Sequence, residues 1–200
     1  MALSRVFRQT PGIMLRYSVL LAIVIATFAC NPDRIKYTDA LKQEMADKKV
    51  RRLTNADLNE AVNSWGEQIV VLAEKEATEK LARGDAATSI CTLQDLPKTQ
   101  AIARRYGMTI SLLSAADVQN PKLAQKEREV LDAYVYNAEK KLPQSSNIQR
   151  IGDTLFVYNA AVPVGNALSQ ICFGRQKQPL AVWRLAFPKQ EVIRHMKPKK

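Results

Sequence analysis

The first half of the chain carries apolar residues at the spacing of helices. Thr54 and Asp57 have the capping-box spacing that starts a helix, and Gly84 suits the position just beyond a helix end. One long helix is therefore predicted from Thr54 to about Arg83. Its apolar face consists of Leu58, Ala61, Val62, Trp65, Ile69, Leu72, Ala73 and Ala77.

Two further helices are predicted downstream, and both lie before residue 142. Pro97 suits the first turn of a short helix over 98–105, and a longer helix is predicted from Lys122 to Lys141. The apolar side of the longer helix holds Val130, Leu131, Tyr134, Val135 and Ala138. The predicted domain thus begins with helices.

The second half changes to the pattern of strands. Between Leu180 and Pro188, the series Val182, Arg184, Ala186 alternates with Trp183, Leu185, Phe187, which predicts a half-buried strand. A turn at 152–153 precedes another predicted strand that ends at Pro163, and 108–113 is a third candidate, while 143–147 is predicted to be a polar loop. The fold class predicted is α+β, with long N-terminal helices followed by a small antiparallel sheet that has helical insertions.

The N-terminus has the organisation of an export signal. Arg5, Arg8 and Arg16 precede a twelve-residue apolar run at 18–29, which is too short to cross a bilayer comfortably. Residues 1–29 are therefore predicted to be a signal peptide. The sequence Thr27-Phe28-Ala29-Cys30 resembles a bacterial lipobox, although Thr27 departs from the usual leucine.

Cys30 is accordingly predicted to carry the lipid, with 30–53 as a linker and short helix. An uncleaved signal anchor is the alternative. Either form places the domain in the cell envelope, tethered to the inner or outer membrane and lying in the periplasm or at the surface.

The chain is basic, with a formal net charge of +11. Cleavage before Cys30 would remove three arginines and lower this charge to +8. No basic motif is interleaved with aromatic residues, so nucleic acid is not an expected partner. The charge suits an exported protein near anionic lipid.

The remaining cysteines form an even pair once Cys30 is set aside. In an oxidising compartment Cys91 and Cys172 suggest a disulfide, which would close 81 residues. In the chain-entropy model such a bond contributes roughly 4 kcal/mol.

The segment around Cys172 looks like a haem-attachment motif with part of its chemistry missing. In Ser169-Gln170-Ile171-Cys172-Phe173-Gly174, the second cysteine and the glycine of Cys-x-x-Cys-His-Gly are kept at Cys172 and Gly174. Ser169 occupies the motif position of the first cysteine, and Phe173 occupies that of the histidine. A c-type haem needs two thioethers and an iron ligand, and these two replacements supply neither.

The order of segments over about 55–190 resembles a bacterial family of single c-type haem domains with a PAS-like fold, a domain of unknown function. Lys126 departs from that family by standing at a tryptophan position. The matching pieces are Cys91 after a helix, Tyr106-Gly107-Met108-Thr109-Ile110, Asn120-Pro121 with Glu127, Val130 and Leu131, Val162-Pro163 before the motif, and the closing strand from Leu180 to Pro188.

The resemblance implies a PAS-like sensory or ligand-binding domain over 54–190, followed by a basic tail at 191–200. It also implies that Cys91 and Cys172 lie close together, and three interpretations stay open. They form a structural disulfide, with Phe173 filling the former haem volume. Alternatively haem c or b is kept through Cys172 or with Cys91 on iron, or both are thiols. In the first interpretation no cofactor is expected.

Catalytic and metal sites have little support in the sequence. No nucleophile motif of the Gly-x-Ser-x-Gly type and no phosphate-binding glycine loop occurs, so the protein is not expected to be an enzyme. His195 is the one histidine and lies in the basic tail, where it is either exposed or, with Met196, a replacement iron ligand. A zinc or calcium site is not expected.

The function expected from these features is that of an envelope lipoprotein whose PAS-like domain senses or binds a ligand after losing regular haem attachment. A haem-binding redox or gas-sensing lipoprotein and a purely structural lipoprotein are the alternatives. The expected partners are the membrane, a small molecule and an envelope protein.

Overall fold

The structure is a computed structural model that describes Asp39 and residues 53–163 and 165–196. The predicted signal peptide, Cys30 and almost all of the predicted linker at 30–53 lie outside these residues, and so do 197–200 of the predicted tail. The chain divides into units 1–50 and 51–200, and the elements below belong to the second. They are α1 Asn55–Ala82, α2 Ala87–Cys91, α3 Pro97–Arg105, β1 Thr109–Ser114, a 3-10 turn Ala115–Gln119, α4 Gln125–Glu139, β2 Asn147–Ile151, β3 Leu155–Ala161, α5 Ala167–Phe173, β4 Ala181–Pro188 and α6 Lys189–His195.

The four strands form one antiparallel sheet in the order β1-β4-β3-β2. Helices are inserted between β1 and β2 and between β3 and β4, and α1, α2 and α3 precede the sheet. The α+β class predicted from the sequence is therefore confirmed.

Both faces of the central strand β4 are covered, which the sequence did not predict. Trp183 and Leu185 pack into the main core, which contains the buried face of α1. Val182 points to a second core and packs there with Leu131 and Tyr134 of α4. Six of the eight β4 residues are buried, so the strand is not half buried as its alternation suggested. The alternation instead separates two cores, one on each face of the sheet.

The start of α1 follows its sequence closely. Thr54 Oγ1 accepts a hydrogen bond from the Asp57 backbone N–H at 3.2 Å, and Asp57 Oδ2 accepts one from the Thr54 N–H at 3.0 Å. This is the predicted capping box, and the helix ends at Ala82, next to the predicted Arg83.

One buried carboxylate of α1 caps another helix. Glu76 is 5% exposed and accepts hydrogen bonds from the backbone N–H groups of Lys98 and Thr99 and from the Thr99 hydroxyl, at 2.7–2.9 Å. Those N–H groups open α3, where a helix has no internal acceptors to offer them. One signal of this contact is visible in the sequence: a glutamate lies between Ala73 and Ala77, which are both buried.

Gly66, which interrupts the predicted apolar face of α1, lies against the Tyr158 ring. A Cβ added at Gly66 would come within 2.5 Å of Tyr158 Cγ. We expect Gly66→Ala to lower the free energy of unfolding by about 1–3 kcal/mol, because the buried ring has no room to move and overpacking exceeds the gain in helix propensity. Urea unfolding measures the change. Ser64→Ala, on the exposed side of α1, is the control, and equal stability of the two variants would contradict this packing.

Three C-terminal features extend the sequence expectations. The predicted loop at 143–147 ends in strand β2, which starts at Asn147, and the segment that leads to Cys172 is helix α5. Residues predicted as a tail include most of α6, whose Val192 is 1% exposed and belongs to the main core. These elements are short or polar, so their sequence periodicity is weak.

Candidate functional site

Cys91 and Cys172 form a disulfide that joins α2 to α5. Their Cα atoms lie 5.5 Å apart, although the residues are 81 positions apart in the chain. Cys91 is the last residue of α2 and Cys172 the penultimate residue of α5, and both are partly exposed. The two short helices are thereby fixed beside each other at the position of the degenerate motif.

The other motif residues lie in α5 or directly after it. Ser169 is 1% exposed, and Phe173 packs partly buried against the main core. Gly174 ends α5 by donating its N–H to the Gln170 carbonyl, at 2.9 Å. A Cβ at Gly174 would overlap that same carbonyl oxygen, so the helix end itself requires glycine here.

A polar contact attaches α5 to α1 as well. Asn166 caps α5 by accepting the Leu168 N–H at 2.8 Å, and its Nδ2 donates to Glu74 Oε1 at 2.6 Å. Partial burial raises the pKa of Glu74 above its ordinary value. The motif helix is thus fixed by one hydrogen bond to α1 and one covalent bond to α2.

The residues at this position do not fit a c-type haem. Both sulfurs are taken by the disulfide, so neither Cys91 nor Cys172 is free to form a thioether or to ligate iron. His195, the alternative ligand, packs its ring 5.0 Å from that of Tyr106. Among the described residues, no group of three His, Cys, Asp or Glu side chains could hold a metal ion.

A second polar centre lies on the opposite face of the sheet, beneath α4. Glu127 is 6% exposed and accepts hydrogen bonds from Arg184 Nε at 2.6 Å and from the Ala124 N–H at 3.0 Å. One carboxylate therefore both caps α4 and ties it to β4. The sequence singled out Glu127 through the resemblance alone and treated Arg184 only as the polar side of a strand.

Arg184 belongs to a polar row that crosses all four strands. The strand registers pair Arg184 with Ser111 on one side and with Asn159 on the other, and Asn159 with Asn147. Asn159 is 5% exposed. Tyr134 of α4 covers this row, donating its hydroxyl to the Ser145 carbonyl at 2.7 Å. The row could be recognised only after the strand registers were known.

Two buried phenols make stability sensitive to alkaline pH. Burial raises the pKa of Tyr134 and of Tyr158 above their ordinary value of 10.0, and a hydrogen bond with Ser146 opposes the effect at Tyr158. The folded state therefore holds these protons to higher pH than the unfolded state does. Stability is full below about pH 10 and falls as the pH rises above it.

We expect Tyr158→Phe to reduce this alkaline loss of stability. Urea unfolding at about pH 9 and about pH 11 measures it. Tyr136, which is 55% exposed, supplies the control Tyr136→Phe. An unchanged alkaline slope in Tyr158→Phe would contradict the expectation.

Comparisons with known proteins add no family assignment. No family model, no curated protein and no solved structure matches this chain. Within the described ranges 53–163 and 165–196, no helix combines the length and apolar character that a bilayer span requires. The functional argument therefore depends on the residues and contacts given above.

Proposed function

We propose that this protein is an envelope lipoprotein, anchored through Cys30, whose PAS-like domain binds or senses a small ligand. In this domain a disulfide takes the place of haem attachment. The observation that carries the proposal is the Cys91–Cys172 bond at the motif position. It uses the one motif cysteine that was kept, and it uses the second cysteine that the resemblance places nearby.

The architecture supports the PAS-like part of the proposal. The domain has a single antiparallel sheet, with α4 and α5 inserted between strands as expected of that fold. The disulfide supports the envelope location, because such bonds persist in oxidising compartments outside the cytoplasm. The signal sequence and Cys30 add the membrane anchor.

The side chains at the motif position support a domain without haem. Phe173 has no nitrogen or sulfur to offer iron, and Ser169 cannot form a thioether. The core beside α5 is filled with large side chains, among them Leu168 and Trp183, which are fully buried. Ligand binding in this domain would therefore depend on protein groups and not on an iron centre.

Co-expression with haem-maturation machinery tests the proposal. We expect the purified protein to show no Soret absorption, while a c-type cytochrome produced in the same cells shows it. Ser169→Cys/Phe173→His rebuilds the complete motif and is the matched variant. Haem in this variant alone would show that the two replacements exclude it. A Soret band in the unaltered protein would contradict the proposal and favour the haem-binding alternative.

A further inference from the structure

Buried oxygen atoms without partners are concentrated where β2 meets α4. Gln144 Oε1, Asn147 Oδ1 and Gln149 Oε1 are buried, and none has a hydrogen-bond partner among the described residues. A buried acceptor left unpaired lowers the stability of the folded state. Three such oxygens near the contact between α4 and β2 therefore indicate a hydrogen-bond donor that comes from outside the chain.

The amide orientations of two of these residues are set by bonds to α4. Gln149 Nε2 donates to the Lys126 carbonyl at 3.2 Å, and Gln144 Nε2 donates to the Tyr134 carbonyl at 2.9 Å. Turning either amide over would remove its donor from a carbonyl. Gln144 Oε1 and Gln149 Oε1 are thus held as acceptors, and each requires an N–H or O–H donor.

The acceptors on β2 lie in a line that leads to a surface groove. Asn147, Gln149 and Ile151 alternate along the strand, so their side chains lie on one face at intervals of about 7 Å. Ile151 lines a groove of about 400 Å³ together with Ala124, Gln125, Lys126, Glu129 and Gly152. Gln149 Nε2 donates to the carbonyl of Lys126, a residue that lines the groove, so the Gln149 side chain lies next to the groove.

The groove is lined by charged groups of both signs and by apolar groups. Lys126 and Glu129 are both in its lining, and their opposite charges offset each other. Ile151 and Ala124 add apolar surface. Two acceptors spaced by one strand repeat fit a short chain with a donor at each end.

We propose that this contact between α4 and β2 is the binding site for a small linear molecule with N–H donors at both ends. The ligand enters at the groove and donates to Gln149 Oε1 and Asn147 Oδ1, while Gln149 Nε2 keeps its hydrogen bond to the Lys126 carbonyl. This inference rests on the proposed ligand-binding function and names its site and ligand class.

Calorimetry and thermal unfolding of the mature chain with Cys30→Ser test it. The probes are putrescine, the neutral diamide succinamide, and the permethylated bis-quaternary analogue of putrescine. The last keeps both charges but has no N–H group. We expect putrescine or succinamide to bind and raise the unfolding temperature as its concentration rises, and the permethylated analogue to do neither.

Two variants connect binding to the unpaired oxygens. Asn147→Leu and Gln149→Met are expected to weaken binding by roughly tenfold or more, since each removes a hydrogen-bond acceptor for the ligand. Asn147→Leu is also expected to leave the ligand-free protein as stable as before or more so, because it removes an unpaired polar group. Asn63→Leu, on α1, makes the same change away from the groove and should alter neither property.

Three results would overturn the proposal. They are the absence of binding by both N–H probes, equal binding by the permethylated analogue, and unchanged binding in Asn147→Leu and Gln149→Met. Destabilisation of Asn147→Leu without any ligand effect would assign the oxygens to structural water instead. None of these results affects the haem measurement, so failure here is distinguishable from failure of the proposed function.

Discussion

Replacing Cys91 and Cys172 by alanine is expected to lower the free energy of unfolding by roughly 4 kcal/mol. The bond closes 81 residues, so its loss returns considerable conformational freedom to the unfolded chain. It also releases α5, a helix of only seven residues, which is too short to be stable without tertiary contacts. Urea unfolding of the Cys30→Ser background measures the difference.

Chemical reduction of the Cys91–Cys172 disulfide gives an independent measurement of the expected loss in stability. Both cysteines are partly exposed, so a thiol reductant can reach them. Reduced protein should unfold at the urea concentration of the alanine variant, and the reductant should not affect the variant itself. A variant as stable as the oxidised parent would show that the bond does not stabilise the domain.

Arg184→Met is expected to cost about 3–5 kcal/mol, because it leaves the Glu127 carboxylate buried and unpaired. Glu127 is 6% exposed and its hydrogen bond from Arg184 is 2.6 Å long, so water cannot readily replace the guanidinium. Equilibrium urea unfolding measures the loss at neutral pH.

A double-mutant cycle separates the pair from the rest of the packing. Arg184→Met/Glu127→Leu removes both charges and should recover much of the stability lost in Arg184→Met. Arg150→Met is the control, since its pairing with Asp153 is exposed and at 3.9 Å. If the effects of Arg184→Met and Glu127→Leu on the free energy of unfolding were additive, the two side chains would not be energetically coupled, which would contradict the buried ion pair.

The parts of the fold that the sequence predicted are those with long, regular patterns. The helix α1 has an apolar repeat over 28 residues and a capping box, and β4 has an uninterrupted alternation. By contrast, β2 reads Asn-Ile-Gln-Arg-Ile, and its sequence pattern predicted no strand; only Asn147 fell within the predicted loop at 143–147. The short helices α5 and α6 likewise depend on tertiary contacts.

Among the candidate sites, too, some were suggested by the sequence and others depend on tertiary contacts. Cysteine number and an exported context suggested the Cys91–Cys172 pair, which the sequence left open among three interpretations. The polar row through Arg184 and Asn159 follows from strand register, and the unpaired oxygens of Asn147 and Gln149 follow from packing against α4. The sequence pattern of a single segment shows neither the strand register nor the packing of β2 against α4.

The intact mass of exported protein, made with haem-maturation machinery and alkylated without reductant, tests the central claim most directly. The Cys30→Ser background leaves Cys91 and Cys172 as the thiols that can react. The expected mass is that of the polypeptide less two hydrogens, with no alkyl group and no haem, and reduction should then allow two alkyl groups to add. A mass increased by haem, or two alkyl groups added before reduction, would contradict the claim that a disulfide occupies the position of haem attachment.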